Sequence, residues 1–150
     1  MKITGLDIGS LSAKAVQVAL EGPAWRVLRA ESETYPQPSY STDPAGRARL
    51  VAHVRALLGR LGDPGHLVTA IPRHKVVLKA IELPGAIGPE LARMVEFEAG
   101  RHLTVPVEEV RLDYELVTPS GPSQPRAEVL LAAVRWSDLD RHVALVREAG

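Results

Sequence analysis

The chain has 150 residues, with 18 basic and 18 acidic side chains, a formal charge of zero and no cysteine. These values exclude a disulfide-stabilised scaffold, a cysteine-ligated zinc module and a nucleic-acid binder that works through bulk positive charge. Hydrophobic residues make up 45% of the chain, and no apolar run reaches the roughly 18 residues of a membrane span. We therefore expect a soluble cytoplasmic chain with a hydrophobic core.

The first half of the chain predicts three strands, a helix and a fourth strand. Short turns between the first three strands are typical of an antiparallel meander. Asp43-Pro44 resembles a helix start, with Asp43 as N-cap and Pro44 at the first helical position. A helix between strands is the crossover that lets the fourth strand lie parallel to an earlier one. The predicted strands lie at 2–8, 13–20, 25–32 and 66–71, and the predicted helix at 43–61.

After Pro72 the pattern starts again and predicts a β-α-β-β-α unit. Residues 110–117 alternate between apolar and charged side chains, which predicts a strand with one wet face. Residues 127–134 are apolar on both faces, which favours a central strand, and Ser137 with Asp140 resembles a capping box. We therefore predict two units, residues 1–74 and residues 75–150, and expect them to be the front piece of a longer protein. The unit's other elements are predicted at 75–83, 88–102 and 137–150.

The sharpest local motif is a hairpin built around a glycine and two serines. Gly9 lets the backbone N–H groups approach an anion closely, and Ser10 and Ser12 add hydroxyl donors. Asp7 suits a hydrated Mg²⁺, and Lys14 can reach a phosphate as a point charge. The motif is short and common, and taken alone it favours an ordinary hairpin with a surface lysine. The meander, helix and parallel strand around it favour phosphate binding.

Four stretches of the sequence carry a resemblance to a known family. They are GLDIGSLSAKAV at 5–16, AIPRHKVVLKAIELP at 70–84, ELARMVEFEAGRHLTVPVEEVRLDYEL at 90–116 and LLAAVRWSDLDRHVALVREAG at 130–150. Together they resemble the PilM family of type IV pilus assembly proteins. This family is part of the actin-like ATPase superfamily and is related to FtsA and to the cytoplasmic part of the type II secretion protein GspL. In that superfamily an Asp, Gly and Ser hairpin is followed by a Lys seven residues after the Asp.

The resemblance implies an actin-like (RNase H-like) α/β lobe at 1–74 and an inserted FtsA/PilM-type subdomain at 75–150. It implies ATP and Mg in the full-length protein, with a first phosphate loop at Asp7, Gly9, Ser10, Ser12 and Lys14. Such families carry the second phosphate loop further along the chain, so we expect residues 1–150 neither to bind nucleotide tightly nor to turn it over.

The resemblance also implies a cytoplasmic scaffold held at the inner membrane through its partners. The implied partner is the N-terminal peptide of a PilN-like membrane protein. A pilus or secretion ATPase and a second copy in a homo-oligomer are further candidates, whereas nucleic acid and membrane insertion are not expected. Two alternatives stay open: a GspL-like module of type II secretion that works without nucleotide, and the front part of a sugar or acetate kinase. A kinase needs a general base, for which Asp63 and Asp113 are the nearest candidates.

One predicted helix carries a candidate partner surface. Leu91, Met94 and Val95 mark its apolar stripe, the next position on that stripe is Glu98, and His102 follows one turn later. A carboxylate on a buried face must be paired or lie at the edge of a cleft. Glu98 is therefore either a structural residue bonded to an Arg or a backbone N–H, or a polar contact in a partner groove.

The remaining charged residues predict no further site. Four arginines lie on the polar side of the predicted helix at 43–61, which indicates a solvated face rather than a phosphate-binding surface. The five histidines show no metal-ligand spacing, so we expect no structural metal. The arginines are Arg47, Arg49, Arg55 and Arg60, and the histidines are His53, His66, His74, His102 and His142.

Overall fold

A computed structural model describes residues 1–36, 43–84, 89–119 and 126–150. These residues form two compact units. The first consists of Met1–Pro72 together with Arg141–Gly150, and the second of Arg73–Asp140. The described strands form two separate sheets, one of four strands and one of three.

The first unit has the predicted meander, crossover helix and parallel strand. Its sheet has the order β3-β2-β1-β4, with β1 antiparallel to β2 and parallel to β4. Strand β4 ends two residues earlier than predicted, three positions before Pro72, whose nitrogen has no hydrogen to donate to a ladder. The elements are β1 (Lys2–Ile8), β2 (Ser12–Glu21), β3 (Ala24–Thr34), α1 (Pro44–Leu61) and β4 (His66–Thr69).

Helix α1 begins as the sequence predicts. The Asp43 carboxylate accepts a hydrogen bond of 2.7 Å from the Gly46 N–H, and Pro44 occupies the first turn. The apolar side of α1, centred on Val54 and Leu57, packs on the inner face of the sheet, where Leu6, Ile8, Ala13 and Ala15 are buried. This face of the sheet is therefore closed by a helix.

A buried polar network joins β1 and β2 to the turn that precedes β4. Gln17 is only 3% exposed, and its amide donates to the Asp63 carbonyl at 2.9 Å and to Thr4 Oγ1 at 3.3 Å. The Thr4 hydroxyl donates to the Pro64 carbonyl at 2.7 Å. Both buried side chains in this network therefore have hydrogen-bond partners, as burial requires. The network fixes the Asp63-Pro64-Gly65 turn against the sheet.

The last helix, α3 (Trp136–Ala149), corrects the predicted boundary of the second unit. Residues 75–150 were predicted to form one unit, but residues 141–150 belong to the first. The reason is packing, because Leu145 and Ala149 are buried in the core of the first unit. In addition, His142 Nε2 lies 3.0 Å from Thr69 Oγ1, and burial lowers the pKa of this imidazole, which favours its neutral form.

The second unit contains three antiparallel strands and helix α2. The sheet order is β5-β7-β6, so the prediction of a central strand at 127–134 is confirmed. Leu91, Val95 and Ala99 of α2 pack against the buried side chains of β5 and β7. The elements are β5 (Val76–Pro84), α2 (Pro89–Ala99), β6 (Val110–Thr118) and β7 (Arg126–Arg135).

Several details of the second unit differ from the prediction. Helix α2 ends at Ala99, before Gly100, rather than near residue 102, and α3 begins at Trp136, so Ser137 lies inside the first turn and is not its N-cap. On β6, Tyr114 and Leu116 are 36% and 42% exposed, because α2 packs over β5 and β7. The predicted loop at 118–125 and the helix-opening Gly88 lie, wholly or in part, outside the described residues.

Candidate functional site

The predicted phosphate hairpin is the turn between β1 and β2. Because β1 and β4 are parallel, their carboxyl ends lie at the same edge of the sheet, and the hairpin continues β1 at this edge. In open α/β sheets this is the edge at which ligands bind. The fold therefore places the motif where an anion site is expected.

Main-chain hydrogen bonds close the hairpin tightly. The Gly9 N–H donates to the Ser12 carbonyl at 2.9 Å, and the Tyr35 N–H donates to the Leu11 carbonyl, also at 2.9 Å. A Cβ atom on residue 9 would lie 3.0 Å from the Ser12 oxygen, closer than side chains normally approach. A side chain at this position would therefore need the Ser12 carbonyl to shift by a few tenths of an ångström, whereas Ser10 is exposed at the tip.

Asp7 and Lys14 are cross-strand partners, so their side chains share one face of the sheet. Both are exposed, and within the described parts of the chain neither forms an ion pair. Ser32 of β3 is the next residue across from Lys14. A carboxylate, an ammonium group and hydroxyls therefore lie close together at one end of the sheet, which suits a hydrated cation and a phosphate.

The structure corrects the predicted partner surface on α2. Leu91 and Val95 are 5% and 1% exposed and belong to the core of the second unit, so no partner can reach them in this structure. The buried stripe continues at Ala99 and not at Glu98. Glu98 pairs with Arg101 at 3.1 Å and lies 3.7 Å from the His102 ring, the structural arrangement that the sequence left open.

An open groove of about 470 Å³ nevertheless lies beside α2. Met94 lies in it, next to Phe97, which is 71% exposed and carries the Arg101 guanidinium 5.1 Å above its ring. Sequence reasoning missed Phe97. Its signal was available, since it is the chain's only phenylalanine and lies outside the Leu91–Val95–Ala99 spacing. The groove is lined by Glu82, Leu83, Pro84, Arg93, Met94, Phe97, Glu98, Arg101 and Arg126.

Three of the four arginines on α1 form hydrogen bonds or ion pairs with other elements of the first unit. Arg47 binds the Glu148 carboxylate through two bonds of 2.8 and 2.9 Å, and Arg55 donates to the Glu148 carbonyl at 2.6 Å. Arg60 reaches Glu33, whose pKa is held below its ordinary value by hydrogen bonds from His53 and Arg60. Arg55 and Arg60 are exposed, as the prediction of a solvated face requires, and Arg47 is half-buried; the sequence did not predict that all three pair within the unit.

The two candidate kinase bases, Asp63 and Asp113, are both engaged in local hydrogen bonds. Asp63 accepts hydrogen bonds from the Gly65 N–H and from Lys2, and these two contacts lower its pKa. The Asp113 carboxylate accepts from the N–H of its neighbour Tyr114. Over the residues that the structure describes, no group of three histidine or carboxylate side chains is arranged to hold a metal, and no helix is long and apolar enough to cross a membrane.

The sheet order, the crossover to a parallel strand and the hairpin at its carboxyl edge define an actin-like α/β fold. The chain belongs to the PilM family: the sequence model of type IV pilus assembly protein PilM matches residues 5–150.

The solved structures to which this chain is similar include a chain of the PilM–PilN complex and the cytoplasmic domain of EpsL. A chain of the PilM–PilN type IV pilus biogenesis complex is 28% identical, with a TM-score of 0.82 over 99% of this chain. The chain spans 44% of that relative's length. The cytoplasmic domain of EpsL, an inner-membrane component of the type II secretion system of Vibrio cholerae, is 10% identical, with a TM-score of 0.61. The match covers all of this chain and 54% of the length of that domain. At that identity, the likeness to EpsL shows a common fold alone.

Proposed function

We propose that this chain belongs to a type IV pilus assembly scaffold that binds the N-terminal peptide of a PilN-like membrane protein. The observation that carries the proposal is the match of residues 5–150 to the PilM family. The similar PilM–PilN complex supports a PilN-like partner. Through this partner the scaffold would be held at the cytoplasmic face of the inner membrane. A pilus or secretion ATPase and a homo-oligomeric contact are further proposed partners.

We further propose that a protein of full PilM length containing this segment binds Mg-ATP at the hairpin. Gly9 brings backbone N–H groups close to a phosphate, Ser10 and Ser12 add donors, and Lys14 supplies the positive charge. The carboxylate of Asp7 would hold a water of the Mg²⁺ shell, since carboxylates suit hard cations. Support comes from the tight turn and from the exposed Asp7–Lys14 pair at the carboxyl edge of the sheet.

Asp7→Ala is expected to weaken Mg-ATP binding by about tenfold to a hundredfold, the usual cost of losing a hydrogen bond to a charged group. Titration calorimetry on the full-length protein measures this loss. The effect should disappear when EDTA removes Mg²⁺, because Asp7 acts through the metal's water. Asp113→Ala, which removes an exposed carboxylate from β6, is the matched control and should leave affinity unchanged. Equal Mg-ATP affinity of wild type and Asp7→Ala would remove Asp7 from the site.

The same calorimetry decides between the scaffold and a GspL-like module that works without nucleotide. Binding of Mg-ATP that depends on Asp7 and Lys14 favours the PilM-type proposal. If no nucleotide binds but the peptide does, the interaction module is the better description. Neither Asp63 nor Asp113 has the surroundings of a general base. A kinase is therefore a weaker candidate than either the scaffold or the interaction module.

The groove beside α2 is the proposed binding surface for the peptide. Of the apolar residues that line it, Pro84 and Phe97 are exposed and Met94 is half-buried, and Glu98 and Arg101 border it. Aromatic side chains that a partner desolvates contribute most of the binding energy at many interfaces. Phe97 therefore replaces Leu91 and Val95 as the apolar contact in the proposed site.

Phe97→Ser is expected to weaken binding of the PilN-like peptide by roughly thirtyfold or more, the effect of losing an interface hot spot of about 2 kcal/mol. The melting temperature should change little, because the Phe97 side chain is 71% exposed. Fluorescence anisotropy with a labelled N-terminal peptide of the PilN-like protein measures the affinity. Leu116→Ser, an exposed apolar position on β6, is the control. Unchanged affinity in Phe97→Ser would place the peptide elsewhere on the chain.

Glu98→Ala is the second variant in this assay. If Glu98 were buried in a partner groove, this substitution would cost well over tenfold in affinity. Its side chain is 25% exposed and pairs with Arg101, and such pairs contribute only about 0–1 kcal/mol. We therefore expect a change of a few-fold at most, clearly smaller than for Phe97→Ser.

A further inference from the structure

A hydroxyl group and an imidazole ring lie within hydrogen-bond distance at the carboxyl edge of the first sheet. Thr69 is the last residue of β4, and its Oγ1 lies 3.0 Å from Nε2 of His142 on α3. Both side chains are half-buried and belong to the first unit. A hydroxyl about 2.6–3.2 Å from a base is the arrangement found where a side chain acts as a nucleophile. Neither residue has a part in the candidate sites described above.

The state and the fixation of His142 suit a base. Burial lowers the pKa of this imidazole, so the neutral form predominates near pH 7. With the ring proton on Nδ1, the lone pair of Nε2 accepts the hydroxyl proton of Thr69. Helix α3 is anchored on the first unit, because Leu145 is buried in its core and Arg47 binds the Glu148 carboxylate through two bonds. Thr69 therefore faces a base that is held in place.

The pair lies beside the hairpin that carries the proposed phosphate site. Leu6 of β1 is the parallel partner of Thr69, and Gly9 of the hairpin follows three residues further along the chain. The hairpin therefore begins one strand across from Thr69, about 4.8 Å away, and roughly 10 Å further along the sheet. Leu67, two residues before Thr69, packs against the first core, so the Thr69 side chain lies on the α1 side of this edge.

We propose that Thr69 is a phosphorylation site, to which ATP bound at the hairpin transfers its γ-phosphoryl group with His142 as the general base. This step rests on the binding of Mg-ATP proposed above. Thr69 Oγ1 attacks the γ-phosphorus, the bond between that phosphorus and the β,γ-bridging oxygen breaks, and the hydroxyl proton passes to His142 Nε2. The products are phosphothreonine and ADP, and the imidazole then returns its proton to solvent.

The sequence offers a direct readout of this modification. Trypsin releases residues 61–73 as one peptide, in which Thr69 is the only residue with a hydroxyl group. In a protein of full PilM length that contains this segment, we expect Mg-ATP to leave an acid-stable phosphate on this peptide, detected by mass spectrometry. Acid stability excludes phosphohistidine at His66. His142→Gln should slow the labelling by about a hundredfold or more, the usual contribution of a general base. Its affinity for Mg-ATP, measured by calorimetry, should stay unchanged.

Thr69→Ser and Thr118 are the controls. Thr69→Ser keeps the hydroxyl and should still be labelled. The Thr118 hydroxyl lies 3.3 Å from a Glu128 carboxylate oxygen in the second unit, so it has a potential base but no phosphate hairpin in its unit, and peptide 112–126 should stay unlabelled.

Three results would overturn the proposal, and the wild-type protein alone can give the first. If Mg-ATP binds but peptide 61–73 carries no phosphate, Thr69 is not an acceptor. Equal labelling rates in wild type and His142→Gln would mean that the imidazole has only a structural role. Labelling of peptide 112–126 at the rate of peptide 61–73 would mean that the reaction is unspecific. If calorimetry detects no Mg-ATP binding, the proposed nucleotide site itself fails, and phosphorylation at Thr69 fails with it.

Discussion

Gly65→Ala is expected to destabilise the first unit by about 3 kcal/mol or more, through two separate costs. Gly65 has a φ of +65°, a conformation that alanine adopts only with strain. A Cβ atom there would also lie 2.5 Å from the Lys2 carbonyl oxygen. That oxygen belongs to β1, so the clash cannot be relieved by a side-chain rotation. Either β1 or the turn before β4 has to move.

Gly22→Ala is the control that separates these two costs. Gly22 has a φ of +64°, nearly that of Gly65, but nothing lies within 4 Å of its Cβ position. Urea unfolding of Gly22→Ala therefore measures the cost of backbone strain alone. Urea unfolding of Gly65→Ala measures the cost of backbone strain together with that of the close approach to Lys2. We expect Gly65→Ala to cost at least twice as much as Gly22→Ala. Equal losses would mean that β1 and the turn are not in close contact.

Leu131→Ala is expected to destabilise the second unit by about 2–5 kcal/mol, the cost of emptying a fully buried leucine site. Leu131 lies on the central strand β7, is 0% exposed and packs in the cluster that contains Val95 and Val129. Its neighbour Leu130 points to the opposite face and is 36% exposed.

Leu130→Ala is therefore the matched control, one residue away on the same strand, and should cost less than about 1 kcal/mol. Hydrogen exchange measured by mass spectrometry locates the effect. In Leu131→Ala, amide protection should fall mainly within residues 73–140. Similar losses in the two variants would show that β7 does not have one buried and one open face.

The strands and the first helix were predictable because local signals agree with the final fold. Alternation marks the strands, the Asp43-Pro44 pair marks the start of α1, and the short turns demand antiparallel neighbours. The hairpin was predictable for the same reason, since its five residues lie within eight positions of sequence. The local sequence is sufficient to predict an element or a candidate site when its residues are continuous in the chain.

What could not be predicted depends on contacts between distant residues. The sequence of α2 allows a buried stripe through Glu98 or through Ala99, and only packing against β5 and β7 selects Ala99. Gln17 is buried although it is polar, because a turn 46 residues away supplies its acceptor. Phe97 was missed because the groove that it lines is formed by β5 together with α2, which are not adjacent in a way that the sequence shows.

The discontinuous first unit sets the order in which the chain can fold during synthesis. Residues 1–72 leave the ribosome before residues 141–150, which supply Leu145 and Ala149 to the same core. The second unit is continuous and can fold as soon as residue 140 has emerged, while the first still lacks part of its interior. Synthesis from the N-terminus therefore supplies every residue of the second unit before the last residues of the first. A ribosome that pauses near residue 140 would leave the inner face of the first sheet incompletely covered and available to chaperones.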